Sequence, residues 1–198
     1  MALAFFKRIK ARRGFFKGRH PLRRAVLFVG GVGVLYAATS AVLGIAGAVP
    51  TAPVFFGLDA DNYYFWQMAW AVPWALAVWI LASGVLLALG KKERGRTAVL
   101  SEAAWAWSGP LLVAWVPSAI QAGFMGLGMG QEEWVGILSQ PGIWQTLYLA
   151  FYAGAAALAV RGFILAGRMV WKKSWLGAAL AGTAAAAVAV GAYVAFIR

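Results

Sequence analysis

The sequence predicts an all-α protein, a polytopic membrane helix bundle of about five transmembrane helices. Three observations carry that prediction. Hydrophobic residues make up 63% of the 198-residue chain and charged residues only 12%. The charged share is about half the roughly 25% usual in soluble domains. Five apolar segments each approach or exceed the about 20 residues that a helix needs to cross the hydrocarbon core. The connections between them alternate between basic and acidic, which is the charge pattern of a chain that crosses at every segment. Mean hydropathy is +0.74, and the 24 glycines suit closely packed membrane helices.

The elements follow in chain order. Residues 1–24 hold nine Lys/Arg and no acid. Phe5, Phe6, Phe15 and Phe16 interleave with Lys7, Arg8, Lys10, Arg12, Arg13, Lys17 and Arg19. Cations mixed with large apolar groups suit a segment lying in the headgroup layer of an anionic membrane. Each cation contributes about 1 kcal/mol near such a surface. Residues 25–198 are expected to form the transmembrane domain. Its first span runs over 25–49, too long and too heavily preceded by charge for a typical signal peptide. The loop 50–62 carries Pro50, Pro53, Asp59 and Asp61. The second span, 63–89, opens on the aromatic cluster Tyr63, Tyr64, Phe65 and Trp66, and Pro73 should kink it. The third, 98–124, holds Pro110 and Pro117 and is expected to be bent or broken. A glycine-rich loop, 125–141, carries Glu132 and Glu133. The fourth and fifth spans cover 142–167 and 175–197.

Charge sets the orientation. The N-terminal segment and the loops 90–97 and 168–174 hold sixteen of the eighteen Lys/Arg, and the two intervening loops hold none. Basic residues in short loops stay cytoplasmic. The expected placement is therefore a bacterial inner membrane, with the N-terminus in the cytoplasm and the C-terminus outside. The same distribution argues against nucleic acid as a partner, because the cations are spread over loops and a tail.

Candidates for chemistry are few. The chain has no cysteine and one histidine, His20, so thiolate catalysis, disulfides, and haem or zinc ligation lack their ligands. No cofactor or metal is expected, and no Ser/His/Asp set or carboxylate pair suggests an enzyme. Two charges fall inside predicted spans, Glu102 and Arg161. They lie about 6 and 10 Å from the cytoplasmic ends of their spans at helical rise, and a snorkelling arginine lets them meet as an intramembrane ion pair. A proton or ion relay is the alternative use of such residues. The eleven tryptophans fit interfacial belts, with Trp66, Trp134 and Trp144 outside and Trp105, Trp107, Trp171 and Trp175 inside. Trp66, Trp70 and Trp74 share one helix face, a groove for lipid, pigment or a partner helix, or a face of ordinary packing. Ala178, Gly182 and Ala186 form a small-residue stripe for close helix contact, within the chain or with another subunit. The stretch GFMGLGMG (123–130) lacks the Lys and Ser/Thr of a phosphate loop.

Local features resemble the bacterial branch of the Yip (Ypt/Rab-interacting) membrane protein family over roughly residues 20–197. They are the aromatic start of the second helix, Tyr63-Tyr64-Phe65-Trp66, and the basic loop GKKERGRT after it. GPLLVAWVP (109–117) and AVRGFILAGRMVWKKSW (159–175) are the others. The resemblance implies five helices behind a cytoplasmic N-terminus. It also implies a role in membrane organisation, since eukaryotic relatives are linked to vesicle trafficking and bind prenylated small GTPases. The short basic N-terminus departs from the eukaryotic pattern, so GTPase binding is not carried over.

Three functions are compatible with these readings. The first is a non-enzymatic interaction or organising component, contacting anionic lipid through its N-terminus and a protein partner or second copy through its helices. The second is a transporter or channel component, with the proline-bearing third span, Glu102 and Arg161 lining the path. The third is an accessory subunit of a larger energy-converting or pigment–protein complex.

Overall fold

Pro21 opens the first helix. Its fixed φ and missing N–H suit the first helical position, where no intrahelical bond is lost. In the computed structural model of the protein, α1 accordingly runs over Pro21–Ile45. The structure describes residues 20–50, 59–90, 95–171 and 174–196. The expected lipid contacts from Phe5 to Arg19 lie outside the described residues. Helix α2 covers Tyr63–Leu89, α3 Arg96–Gly126, α4 Gln131–Ser139, α5 Ile143–Val170 and α6 Trp175–Phe196. Among the described residues there is no strand. Five of these helices, all but α4, are long and apolar enough to cross a membrane.

The elements differ from the expected ones at four places. The first helix begins at Pro21, four residues before the expected span, because Pro suits the first helical turn. The same helix stops at Ile45, four residues before the apolar run does. Gly47 turns the chain there at φ +68°, and the N–H groups of Ala46 and Ala48 close on Val42 and Leu43 carbonyls. The loop 125–141 contains α4, whose Glu132 and Glu133 lie in the first turn, where acids favour the helix dipole. Finally, α3 is one continuous 31-residue helix through Pro110 and Pro117, so of the expected bend or break the break is absent. Each proline removes one backbone donor. The neighbours offset that loss, since half of the apolar window of α3 is buried, more than in any other span.

The five long helices close a ring in the order α1–α2–α6–α5–α3, with α2 also reaching across to α3. Side-chain pairs fix the directions. Phe28 faces Trp105, Tyr36 bonds to Leu111 and Thr39 meets Trp115, so α1 and α3 run parallel at constant offset. Gly167 faces Ala178 and Tyr152 faces Tyr193, so α5 and α6 run antiparallel. One end of the bundle therefore carries Arg23, Arg24, Arg96 and Arg168. The other carries Asp59, Asp61, Glu132 and Glu133.

Candidate functional site

Two kinds of contact hold the ring. Near the basic end, backbones touch. A Cβ on Gly182 would lie 2.6 Å from Ile164 N and 2.7 Å from Phe163 C. A Cβ on Gly162 would lie 3.0 Å from Ala106 Cα. The α5–α6 and α3–α5 seams therefore depend on small residues. The structure places Ala178, Gly182 and Ala186 in buried positions, with Gly182 against α5, so this contact is internal.

Tryptophan and tyrosine also tie the helices together, from Trp79 and Trp171 near the basic end to Tyr63 at the acidic end. Trp107 Nε1–H donates to Ala75 O at 3.0 Å and Trp79 Nε1–H to Leu100 O at 2.9 Å, both joining α2 and α3. Trp115 Nε1–H donates to Thr39 Oγ1 at 2.8 Å, and Tyr36 O–H to Leu111 O at 3.0 Å, joining α1 and α3. Trp74 Nε1–H reaches Ala192 O at 3.3 Å on α6. The end of α6 is held by Tyr63 O–H, 2.7 Å from Phe196 O. Gln67 supports that contact and also accepts from Ser40 Oγ at 2.7 Å. Phe196 O is one of the terminal carbonyls a helix leaves open, and α2 satisfies it.

Placing the tryptophans in interfacial belts is thus corrected in part. Trp107 is buried because its indole ring is a ring-interior tie, and Trp105 stacks on Phe28 of α1 at 4.7 Å between ring centres. Trp134 is buried beneath α4 against Phe124. Trp66, Trp70, Trp144 and Trp175 do face outward, and Arg168 sits over the Trp175 ring at 4.1 Å. The Trp66/Trp70/Trp74 face divides in the same way. Its first two rings are exposed, and the third packs on Phe196 of α6.

Between α3, α5 and α6 the ring encloses a cavity of about 150 Å³. Trp107, Pro110, Leu111, Tyr152 and Tyr193 are among the residues that line it. It reaches the surface at Ala156 and Val194, which are exposed. The Tyr193 hydroxyl has no hydrogen-bond partner, although the residue is only 8% exposed. The Tyr36 and Tyr152 rings pack on Tyr193, with centres at 6.3 and 6.5 Å.

The intramembrane charges lie elsewhere. Glu102 is half-buried on α3 and Arg161 is exposed on α5, both nearer the basic end than the cavity. By the offset that pairs Phe28 with Trp105, Arg24 of α1 stands level with Glu102. Among the described residues no group of three His, Cys, Asp or Glu is placed to share a metal ion.

Length, composition and this packing define the class: the chain is a multi-pass integral membrane protein. No family model, curated protein or solved structure matches it at a significant level.

Proposed function

We propose that the protein is a non-enzymatic interaction or organising component of a membrane, of the kind its Yip-like features imply. Its place is the bacterial inner membrane, with the N-terminus cytoplasmic and its cations on anionic lipid. One observation carries the reading. The buried polar side chains that bridge helices are spent on holding the helices to one another: Tyr36, Ser40, Tyr63, Gln67 and Trp107 all bond across a helix–helix seam. Polar groups committed in this way stiffen a bundle and are poorly suited to a moving solute. The outward rings of Trp66 and Trp70 remain available to lipid or a partner.

Affinity purification of the full chain in mild detergent, followed by mass spectrometry, tests the proposal. A reproducible membrane partner or a defined homo-oligomer is the expected result. A monomer that co-purifies with nothing contradicts it. A substrate flux in liposomes that disappears in Glu102→Gln or Arg161→Ala would replace it with a transporter.

A further inference from the structure

The corner that joins α5 to α6 at the basic end holds one cation in a fixed frame. Arg168 stands in the last turn of α5, and its guanidinium lies over the Trp175 ring of α6, 4.1 Å from the ring centre. Its Nη1–H donates to Trp171 O at 3.2 Å. Trp171 is itself fixed. Its Nε1–H donates to Leu89 O of α2 at 3.1 Å, and its ring lies so close to Gly177 that a Cβ there would come within 2.6 Å of it. Capping the end of α5 takes one of the five N–H donors of Arg168. Among the described residues no carboxylate pairs with it. A planar fork held in place suits a phosphate, which can accept two of its N–H bonds at once. The surrounding charge favours an anion as well. Arg23, Arg24 and Arg96 share this end, Glu102 is half-buried on α3, and the other described acids lie at the far end. An apolar track leads away from the cation. Trp175, Leu176 and Leu180 are 61%, 72% and 65% exposed, and the two leucines stand one turn apart on α6, running from the level of Arg168 into the hydrocarbon.

We propose that Arg168 and Trp175 form a binding site for the phosphate of an anionic phospholipid, with an acyl chain along Leu176 and Leu180. The free N–H groups of Arg168 donate to the phosphate, and Trp175 holds the guanidinium at headgroup depth. This site extends the anionic-lipid contact proposed above, on which it rests, from the N-terminal cations to a defined place on the bundle.

Phosphatidylglycerol and zwitterionic phosphatidylcholine, with the same oleoyl chains, are the probes. The full chain is stripped of lipid in mild detergent, and bound lipids are counted by native mass spectrometry during titration. The expected result is one phosphatidylglycerol that binds at least about tenfold more tightly than phosphatidylcholine. Arg168→Gln raises its Kd about tenfold, the worth of one hydrogen bond to a charged group, and leaves phosphatidylcholine unchanged. Arg168→Lys, which keeps the charge and loses the fork, falls between wild type and Arg168→Gln. Gln and Lys both retain a donor for Trp171 O, so the corner stays capped. A variant with the seven Lys/Arg between residues 7 and 19 replaced by Gln still binds this lipid. Equal affinity for the two lipids in wild type, or an unchanged Kd in Arg168→Gln, overturns the site. Loss of binding in the N-terminal variant alone leaves the anionic-lipid contact with the N-terminal cations and overturns the site on the bundle. Loss in neither variant overturns both.

Discussion

The two ends of the α5–α6 seam join their helices in different ways. Near the basic end, α5 and α6 meet through Gly167, Ala178 and Gly182 with backbone against backbone. Near the acidic end Tyr152 of α5 packs on Tyr193 of α6, and Phe196 of α6 packs on Trp74 of α2. Lipid tails are as apolar as leucine, so there is no hydrophobic gain from burying one helix on another. Close van der Waals contact and interhelical hydrogen bonds remain. The basic end of the α5–α6 seam uses the first, and α2 is tied to its neighbours by the second along its whole length, from Leu100 and Trp171 near the basic end to Phe196 at the acidic end. The cavity lies where flat rings and a proline-bearing helix meet, since these do not interdigitate as tightly as alanine and glycine.

Substitutions can break this contrast. The largest effect is expected at the glycine seam. Gly182→Leu drives a side chain into the α5 backbone and should lower stability by about 3 kcal/mol or more. Gly191→Leu, nine residues on with open space around its Cβ, should change it by less than about 0.5 kcal/mol. Reversible unfolding in mixed micelles measures both. Equal losses at the two positions would show that helix propensity, and not contact, governs α6.

The hydrogen-bonded ties should yield smaller steps. Trp107→Phe removes the bond to Ala75 O and part of the ring volume, with an expected loss of about 1–2 kcal/mol. Tyr63→Phe leaves Phe196 O without its shortest donor and should lower stability by about 0.6–1.7 kcal/mol. Tyr193→Phe is the sharpest comparison, since the same atom is deleted from the same residue type. Its hydroxyl is buried and unpartnered, so the variant should be as stable as wild type or more stable by up to about 1 kcal/mol. A loss matching that of Tyr63→Phe would mean that the oxygen is bonded after all.

Much of the fold was legible in the sequence, for a plain physical reason. Inside a bilayer every backbone group must be satisfied within the segment, so a long apolar run has little choice but to be a helix. Residues 63–89 and the fifth span from Trp175 were placed correctly from composition alone. Boundaries failed where local chemistry outranked hydropathy, at Pro21 and at Gly47. The short helix α4 carried a readable signal, two acids after Gly130 followed by Trp134, but the surrounding glycines obscured it. The candidate site was largely hidden. Hydropathy gives the depth of Trp107 but not the direction its indole points. Belt and tie therefore look alike until α2 is seen beside α3. The cavity belongs to no one segment; it exists because Trp107, Tyr152 and Tyr193, on three separate helices, come level.

The central claim is that five helices cross the membrane and place the basic and acidic connections on opposite faces. The chain has no cysteine, so single cysteines report without background. His20→Cys and Thr97→Cys lie at exposed positions at the basic end, and Asp61→Cys and Ser139→Cys at exposed positions at the acidic end. With a membrane-impermeant maleimide on intact spheroplasts, the latter pair should label at once and the former pair only after permeabilisation. Labelling of both pairs from the same side would contradict the five-span account.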